Sequence, residues 1–152
     1  WSRMLPQVNI EDIRNIFREA YRQQDPPKMI GGVKETIAFL SKQRLSLYVL
    51  SSHPETFLHT EARDYGIDSY FTNIFGDKLD KSEFLASMLA SGMIKKESTL
   101  FIEDMVQGIY SGRQNGIMTA AVLTGYHDYD KLSSAKPDYI FNDITGLKTL
   151  FN

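Results

Sequence analysis

The feature that most constrains this chain is a rhythm that sets in near residue 45. Short apolar runs rich in strand-forming residues recur, separated by helical segments of roughly 10–15 residues. The runs are Leu45–Leu50 (LSLYVL), Asn73–Phe75, Thr99–Ile102, Met118–Leu123 and Tyr139–Phe141. Between them, Pro54 opens a helix that carries Phe57, Leu58, Ala62 and Tyr65, with Gly66 as its stop. Lys81–Ser91 turns Phe84, Leu85, Met88 and Leu89 inward, and Val106–Gln114 is halted by Asn115-Gly116. Asp143 caps a last helix that ends near Phe151, whereas the stretch after Leu123, rich in Gly, Tyr and Asp, reads as loop. Strands separated by helices cannot pair as tight hairpins. They pair in parallel, with crossover helices covering the sheet. The expected fold class is therefore α/β, a doubly wound parallel sheet.

The N-terminal stretch has a different character. Asn9 is an N-cap, Glu11 and Asp12 sit in the first turn, and Ile10, Ile13, Ile16, Phe17, Ala20 and Tyr21 follow at helical spacing. Asp25-Pro26-Pro27 ends that helix, and Gly31-Gly32 opens a second with Val33, Ile37 and Leu40 on its apolar face. Residues 1–28 thus read as an appendage, and 29–152 as a single α/β domain.

Composition excludes several classes of function. Lys and Arg number 17 against 19 Asp and Glu, a net charge of −2 without the basic excess of a nucleic-acid binder. No apolar run approaches the ~20 residues of a membrane-spanning helix. With no cysteine, disulfides, thiolate nucleophiles and zinc–thiolate sites are excluded. No targeting pattern is present, so the cytoplasm is the default expectation.

In an open parallel sheet, ligands bind beyond the carboxyl ends of the strands, so the residues leaving each strand carry the information. After Leu50 come the hydroxyls Ser51 and Ser52 and then a helix N-terminus, whose free N–H groups suit a phosphate; an ordinary helix cap reads the same way. After Phe75 comes GDKLDK, whose lysines Lys78 and Lys81 offer point charges for a phosphate or carboxylate. After Ile102 come Glu103 and Asp104. Two acids at the end of a buried strand are costly unless paired or holding a hard cation such as Mg²⁺. His53, His59 and His127 lack ligand spacing and read as surface or loop residues. Gly108, Gly112 and Gly116 fit a helix packed closely on the sheet, with Gly116 just beyond its end. No phosphate-binding glycine loop, dinucleotide fingerprint or nucleophile elbow occurs.

Taken in order, these segments resemble the haloacid dehalogenase-like hydrolase superfamily, in its phosphoglycolate-phosphatase-like branch. LYVLSSHPE (47–55) is similar to the family's second motif, which implies that Ser51, with Ser52 beside it, donates hydrogen bonds to phosphate. Lys81 in KSEF resembles the third-motif lysine, with Lys78 as competitor. The segment from Thr99 to Tyr126 resembles the fourth motif, and Lys136–Phe151 the last strand and helix. The resemblance implies that Asp104 helps hold Mg²⁺, that residues 1–28 are the remnant of a helical cap, and that a small phosphorylated metabolite is the ligand.

Two departures from the family pattern follow. Glu103 stands where the family has glycine, and Gly108 where it has a second acid, so Glu103 is a candidate substitute ligand. The first motif, DxDx(T/V), which supplies the nucleophilic aspartate, is missing. The sole Asp-x-Asp, Asp128-Tyr129-Asp130, lies in the loop region late in the chain. The family's first-motif strand occupies the centre of the sheet. The expectation is a core that lacks its first strand, with an upstream segment before Trp1 or a partner chain filling the slot. As it stands, such a chain is an inactive phosphatase. The competing readings are a non-catalytic binding or regulatory protein of the same fold and, behind it, a receiver-like phospho-acceptor.

Overall fold

The computed structural model describes residues 9–23 and 27–151. Helix α1 (Ile10–Arg22) precedes α2 (Val33–Ser41), β1 (Tyr48–Leu50), α3 (Glu55–Asp64), β2 (Asn73–Phe75) and α4 (Lys81–Ala90). The chain continues through β3 (Leu100–Glu103), α5 (Val106–Gln114), β4 (Met118–Val122), α6 (Tyr129–Ser134) and β5 (Tyr139–Phe141). Short 3₁₀ turns lie at Asp68–Tyr70 and Lys96–Ser98.

Every strand pairing is parallel. The strands form two ladders, β1–β2 and β3–β4–β5. The period of two distributes their side chains between two faces. On one face, Val49 and Ile74 pack with Ile37 of α2 and Ala62 of α3, while Leu100, Ile102 and Ala120 pack with Leu40 of α2 and with Leu147. On the other, Tyr48, Leu50, Phe75 and Phe101 gather around Leu85 and Met88 of α4, and Ala121 meets Ile109 of α5 and Leu132 of α6. Helix α2 joins both ladders on the first face through Ile37 and Leu40, and on the second the cluster around Leu85 and Met88 draws on both, so the two ladders belong to one layer with helices above and below.

That layer is open in the middle. Among the described residues, β1 pairs only with β2, and β3 only with β4. Burial follows the same division: Ala120 and Ala121 in β4 are fully buried, whereas Tyr48–Leu50 and Leu100–Ile102 are only half-buried. A doubly paired strand between two helical layers loses all its water, and a strand with a free edge does not.

Two sequence expectations need correction. The loop after Leu123 contains helix α6, whose first turn is capped when Asp128 accepts the Lys131 N–H at 2.9 Å. The terminal helix is a 3₁₀ segment, Ile144–Phe151, started by Asp143, which accepts hydrogen bonds from the Thr145 N–H and hydroxyl. Those bonds hold the Asp143 carboxyl below the usual range. In α1, Ile13 is 53% and Ile16 70% exposed. Both glycine stops hold: Gly66 and Gly116 lie just past α3 and α5 with φ of +64° and +68°. Residues 1–8 lie outside the described residues, as does Asp25-Pro26.

The open edges predict a pattern of amide exchange. Amides of β4 have ladder partners on both sides, whereas those of β1 and β3 that point away from their single partner do not. Hydrogen-exchange NMR should find β4 protected throughout, with alternate amides of β1 and β3 exchanging fast. Uniform protection across β1 and β3 would mean that the gap is closed.

Candidate functional site

The carboxyl end of β1 delivers Ser51. Its N–H donates to Phe75 O at 2.9 Å, and its carbonyl accepts from Lys78 N–H at 3.0 Å, so the residue stays in register with β2 after the strand ends. The Ser51 hydroxyl accepts the His53 N–H at 3.1 Å, which orients Oγ and leaves its own proton to donate. Ser52 is exposed beside it.

Helix α3 then begins without a cap of its own, because the Pro54 ring carries no hydrogen-bonding group. Asp77 supplies the cap from the loop after β2: its Oδ2 accepts the Glu55 N–H at 3.1 Å, and the Glu55 carboxylate returns to the Gly76 N–H at 3.0 Å. The loops pack so closely that a Cβ on Gly76 would lie 2.3 Å from Glu55 Cα. Asp77 itself adopts φ +55°, a left-handed conformation that aspartate tolerates better than most residues.

Lys81 opens α4, whose N-cap is Asp80, and it reaches the end of β3. Its Nζ donates to Glu103 Oε1 in an ion pair whose carboxylate side is almost sealed from water, Glu103 being 6% exposed. Lys78 instead lies over the Phe84 ring, 4.9 Å from its centre. The sequence placed Glu103 after the strand, but it is the last residue of β3, and Asp104 is the first beyond it. Burial pushes the Glu103 carboxyl above its ordinary value, opposed by the Lys81 ammonium and by the Asp104 N–H, with the Asp104 charge pushing the same way as burial.

Glycines make room for both acids. A Cβ at Gly108 would lie 2.2 Å from Glu103 Cδ, and one at Gly125 would lie 1.9 Å from Asp104 Oδ2. The Glu103 carboxylate therefore fills space that a side chain at position 108 would need. Gly112 is equally tight, 2.6 Å from Thr119 Cγ2, consistent with close packing of α5 on the sheet.

The structure thus brings Lys81, Glu103 and Asp104 together and sets Ser51 at the end of the neighbouring ladder. No cluster of three or more His, Asp or Glu residues that could hold a metal occurs among the described residues. The chain offers two adjacent carboxylates at the strand end. That donor set suits Mg²⁺, which is typically held through one or two carboxylates and otherwise by water and substrate oxygens. A surface cavity of about 500 Å³, lined by Lys96, Arg113, Lys136 and Asp138 among others, lies at the opposite end of β3–β5 and shares none of these residues.

Two histidines read from sequence as surface or loop residues are half-buried and have defined partners. His53 Nε2 lies 3.4 Å from Glu61 Oε1, and its ring meets Tyr21 of α1 edge-on at 4.5 Å. Tyr21 stacks on Phe57 and donates to Glu61; burial, then that bond, pushes its hydroxyl up to about 12. Arg18 of α1 lies 3.6 Å from Asp77. The N-terminal helix therefore rests against the loop that carries Ser51. His127, from the loop after β4, accepts the Val106 N–H at 3.1 Å. No motif marks these contacts in the sequence: apart from His53–Glu61, each joins residues more than twenty positions apart.

The fold and site define a known class. The chain belongs to the haloacid dehalogenase-like hydrolase family, whose sequence profile matches residues 2–122. Its relatives lie in the phosphoglycolate-phosphatase-like branch. A 5′-nucleotidase of Pseudomonas aeruginosa is 27% identical over 141 residues, covering 88% of this chain and 64% of the relative. A phosphoglycolate phosphatase of Pseudomonas fluorescens is 24% identical over 147 residues, covering 92% and 54%. A solved structure of a candidate phosphatase from Clostridium difficile superposes with a TM-score of 0.79 at 26% identity, covering 94% of this chain and 68% of that one. A haloacid dehalogenase-like hydrolase from Streptococcus pneumoniae shares the fold at the same TM-score of 0.79, with 18% identity and coverage of 99% and 75%. The chain spans between about half and two thirds of the length of these curated relatives. Among the described residues, no helix is long and apolar enough to cross a membrane.

The buried pair predicts a pH-dependent mutant effect. Lys81→Met strands the Glu103 carboxylate in the interior, which should cost about 3 kcal/mol near neutral pH. Folding raises the carboxyl above its ordinary value of 4.5, so its contribution to stability is complete below that pH and is lost as pH rises through the folded value. Without Lys81 the loss is larger. Urea unfolding should show a wide gap between wild type and variant at pH 7.5 that narrows toward pH 4.5; a constant gap would contradict the pairing.

The packing of Gly108 makes a second prediction. Gly108→Ala should destabilise by about 1–3 kcal/mol despite alanine's better helix propensity, because Glu103 must move. In a Glu103→Ala background the same change should be neutral or stabilising, and additive effects in the double-mutant cycle would count against the contact.

Proposed function

We propose that this chain forms most of a phosphatase that hydrolyses a small phosphate monoester through an aspartyl-phosphate, with Mg²⁺ as cofactor. The observation that carries the reading is the Lys81 ammonium on Glu103, next to Asp104, at the same edge of the layer as the Ser51 hydroxyl. Ser51 and Ser52 donate hydrogen bonds to the phosphoryl oxygens. Lys81 balances negative charge between the acids and the phosphoryl group. Asp104, less committed than the paired Glu103, is the principal metal ligand of this chain, and Glu103 is the second. When bound, Mg²⁺ neutralises phosphoryl charge and orients the group for in-line attack.

The nucleophile is an aspartate on a strand that enters the open slot between β1 and β3, from a segment upstream of Trp1 or from a partner chain. That carboxylate attacks phosphorus, the ester P–O bond breaks and the leaving alkoxide takes up a proton. Water then attacks the phosphorus of the acyl phosphate, releasing inorganic phosphate and the aspartate. The outward-facing Ile13 and Ile16 of α1 support the assignment of residues 1–28 to a helical cap whose remaining helices would cover them. Without the added strand the chain turns over no substrate. The second reading, a binding or regulatory protein of the same fold, is favoured by Gly108, which stands where the family pattern has a second acid.

The test is hydrolysis of p-nitrophenyl phosphate with Mg²⁺, by the chain as it stands and by a longer chain in which a strand bearing DxDx(T/V) precedes it. The expected result is no turnover by the first and turnover by the second, with Asp104→Asn lowering kcat/KM by about 10²-fold or more. Turnover unchanged by Asp104→Asn would remove Asp104 from the mechanism. Phosphate binding without turnover by the completed chain would establish the binding reading.

A further inference from the structure

Three helices of this chain cap themselves: α1 with Asn9, α4 with Asp80 and α6 with Asp128. The two helices that leave the inner strands at the site do not. Helix α3 starts from Pro54 and α5 from Met105, and neither residue makes a side-chain cap. In both cases a residue from the loop after the neighbouring outer strand does so instead. Asp77, following β2, accepts the first N–H of α3 (Glu55, 3.1 Å), and His127 Nδ1, following β4, accepts the first N–H of α5 (Val106, 3.1 Å).

The arrangement repeats in detail. In each pair the outer loop carries a glycine so close to the inner loop that a Cβ would overlap it: Gly76 against Glu55 at 2.3 Å, and Gly125 against Asp104 at 1.9 Å. The loop after β1 gains further ties to the loop after β2, since Asp77 N–H donates to His53 O at 2.9 Å and Lys78 N–H to Ser51 O at 3.0 Å. The inner strands β1 and β3 both border the slot, so one flank of each lacks a ladder neighbour among the described residues. The outer loop anchors the opposite flank.

We infer that Asp77 and His127 are positioning residues, which set the Ser51–Glu55 and Asp104–Val106 turns from the outer strands so that both turns are in place whatever occupies the slot. Neither residue touches the reacting groups; each acts through a backbone N–H at the start of a helix. An acceptor there satisfies an N–H that has no partner within the helix and ties down the first turn. Asp77 also carries the contact to Arg18 of α1 at 3.6 Å, which links the N-terminal helix to the same turn. The inference rests on the reading of Ser51 and Asp104 as phosphate and metal contacts.

Amide exchange of the ¹⁵N-labelled chain tests it, in Asp77→Ala, Asp77→Asn, His127→Ala and His127→Asn. Asparagine keeps an acceptor at either position and tolerates the left-handed backbone of residue 77. His127→Ala should speed exchange of the Val106 amide by about 3- to 10-fold and leave Glu55 unchanged, and Asp77→Ala should do the reverse. Each asparagine variant should restore its amide to within about twofold of wild type. Unchanged exchange at Val106 and Glu55 would overturn the inference, as would acceleration spread evenly through α3 and α5 or failure of the asparagines to rescue.

Two ligand titrations read the consequence for the site. Mn²⁺ should broaden the Asp104–Val106 amides of the wild type, and inorganic phosphate should shift those of Ser51 and Ser52. His127→Ala should weaken the first midpoint several-fold, Asp77→Ala the second, with recovery in the asparagines. Midpoints unmoved by the alanines would show that the caps are structural only, which also overturns the inference. A wild type that responds to neither probe overturns the phosphatase reading instead, and the exchange rates then decide the capping on their own.

Discussion

The contact on which the site depends is the ion pair between Lys81 and Glu103. It joins the start of the helix after β2 to the last residue of β3, and so crosses the gap between the two ladders. With Glu103 6% exposed, its carboxylate has little water to solvate it, and the ammonium takes that part. The pair is not needed for hydrophobic cohesion, which the cluster around Leu85 and Met88 supplies across the same gap. It fixes the direction of the β3 end, and with it the adjacent Asp104. The bonds from Asn115, at the C-terminal end of α5, to Ser82 of α4 act beside it, so the two halves of the layer are tied through helices rather than through strands.

The gap also separates the two halves of the site. In a complete doubly wound sheet the crevice is walled by the loops of adjacent inner strands. Here the inner strands β1 and β3 are separated, and each is steadied by its outer neighbour. The glycines at 76 and 125 let the outer loops approach, and Gly108 lets Glu103 turn inward. Space at these positions was assigned to backbone and carboxylate, so each glycine is fixed by what it must not occupy.

Much of this was legible in the sequence because it depends on local order. Alternating strand and helix patterns revealed the parallel α/β layer, and the apolar positions of α2, α3 and α4 (Ile37, Leu40, Ala62, Leu85 and Met88) are buried as their spacing implied. Ser51, Lys81, Glu103 and Asp104 were visible as residues leaving strands, because a parallel sheet gathers those positions at one edge. The sequence misled where tertiary packing overrides pattern. The apolar spacing of α1 marked a helix without saying what would cover it, and Ile13 and Ile16 point outward; α6 was hidden because its short run of polar residues has no strong period. His127 and Asp77 carried no signal, since their partners are the first residues of helices far away in the chain.

The order of residues alone determined the class of fold, the direction of the strands and the edge at which the chemistry gathers, because hydrophobic period and crossover length are properties of the chain read in line. The tertiary structure decided which lysine meets the acids, which acid is buried and which is free, and which distant side chains cap the turns of the site. Those outcomes depend on space and solvent around each group: Lys78 found the ring of Phe84, Lys81 found a carboxylate that had lost its water, and Glu103 turned into the room left by Gly108. No reading along the chain contains those distances.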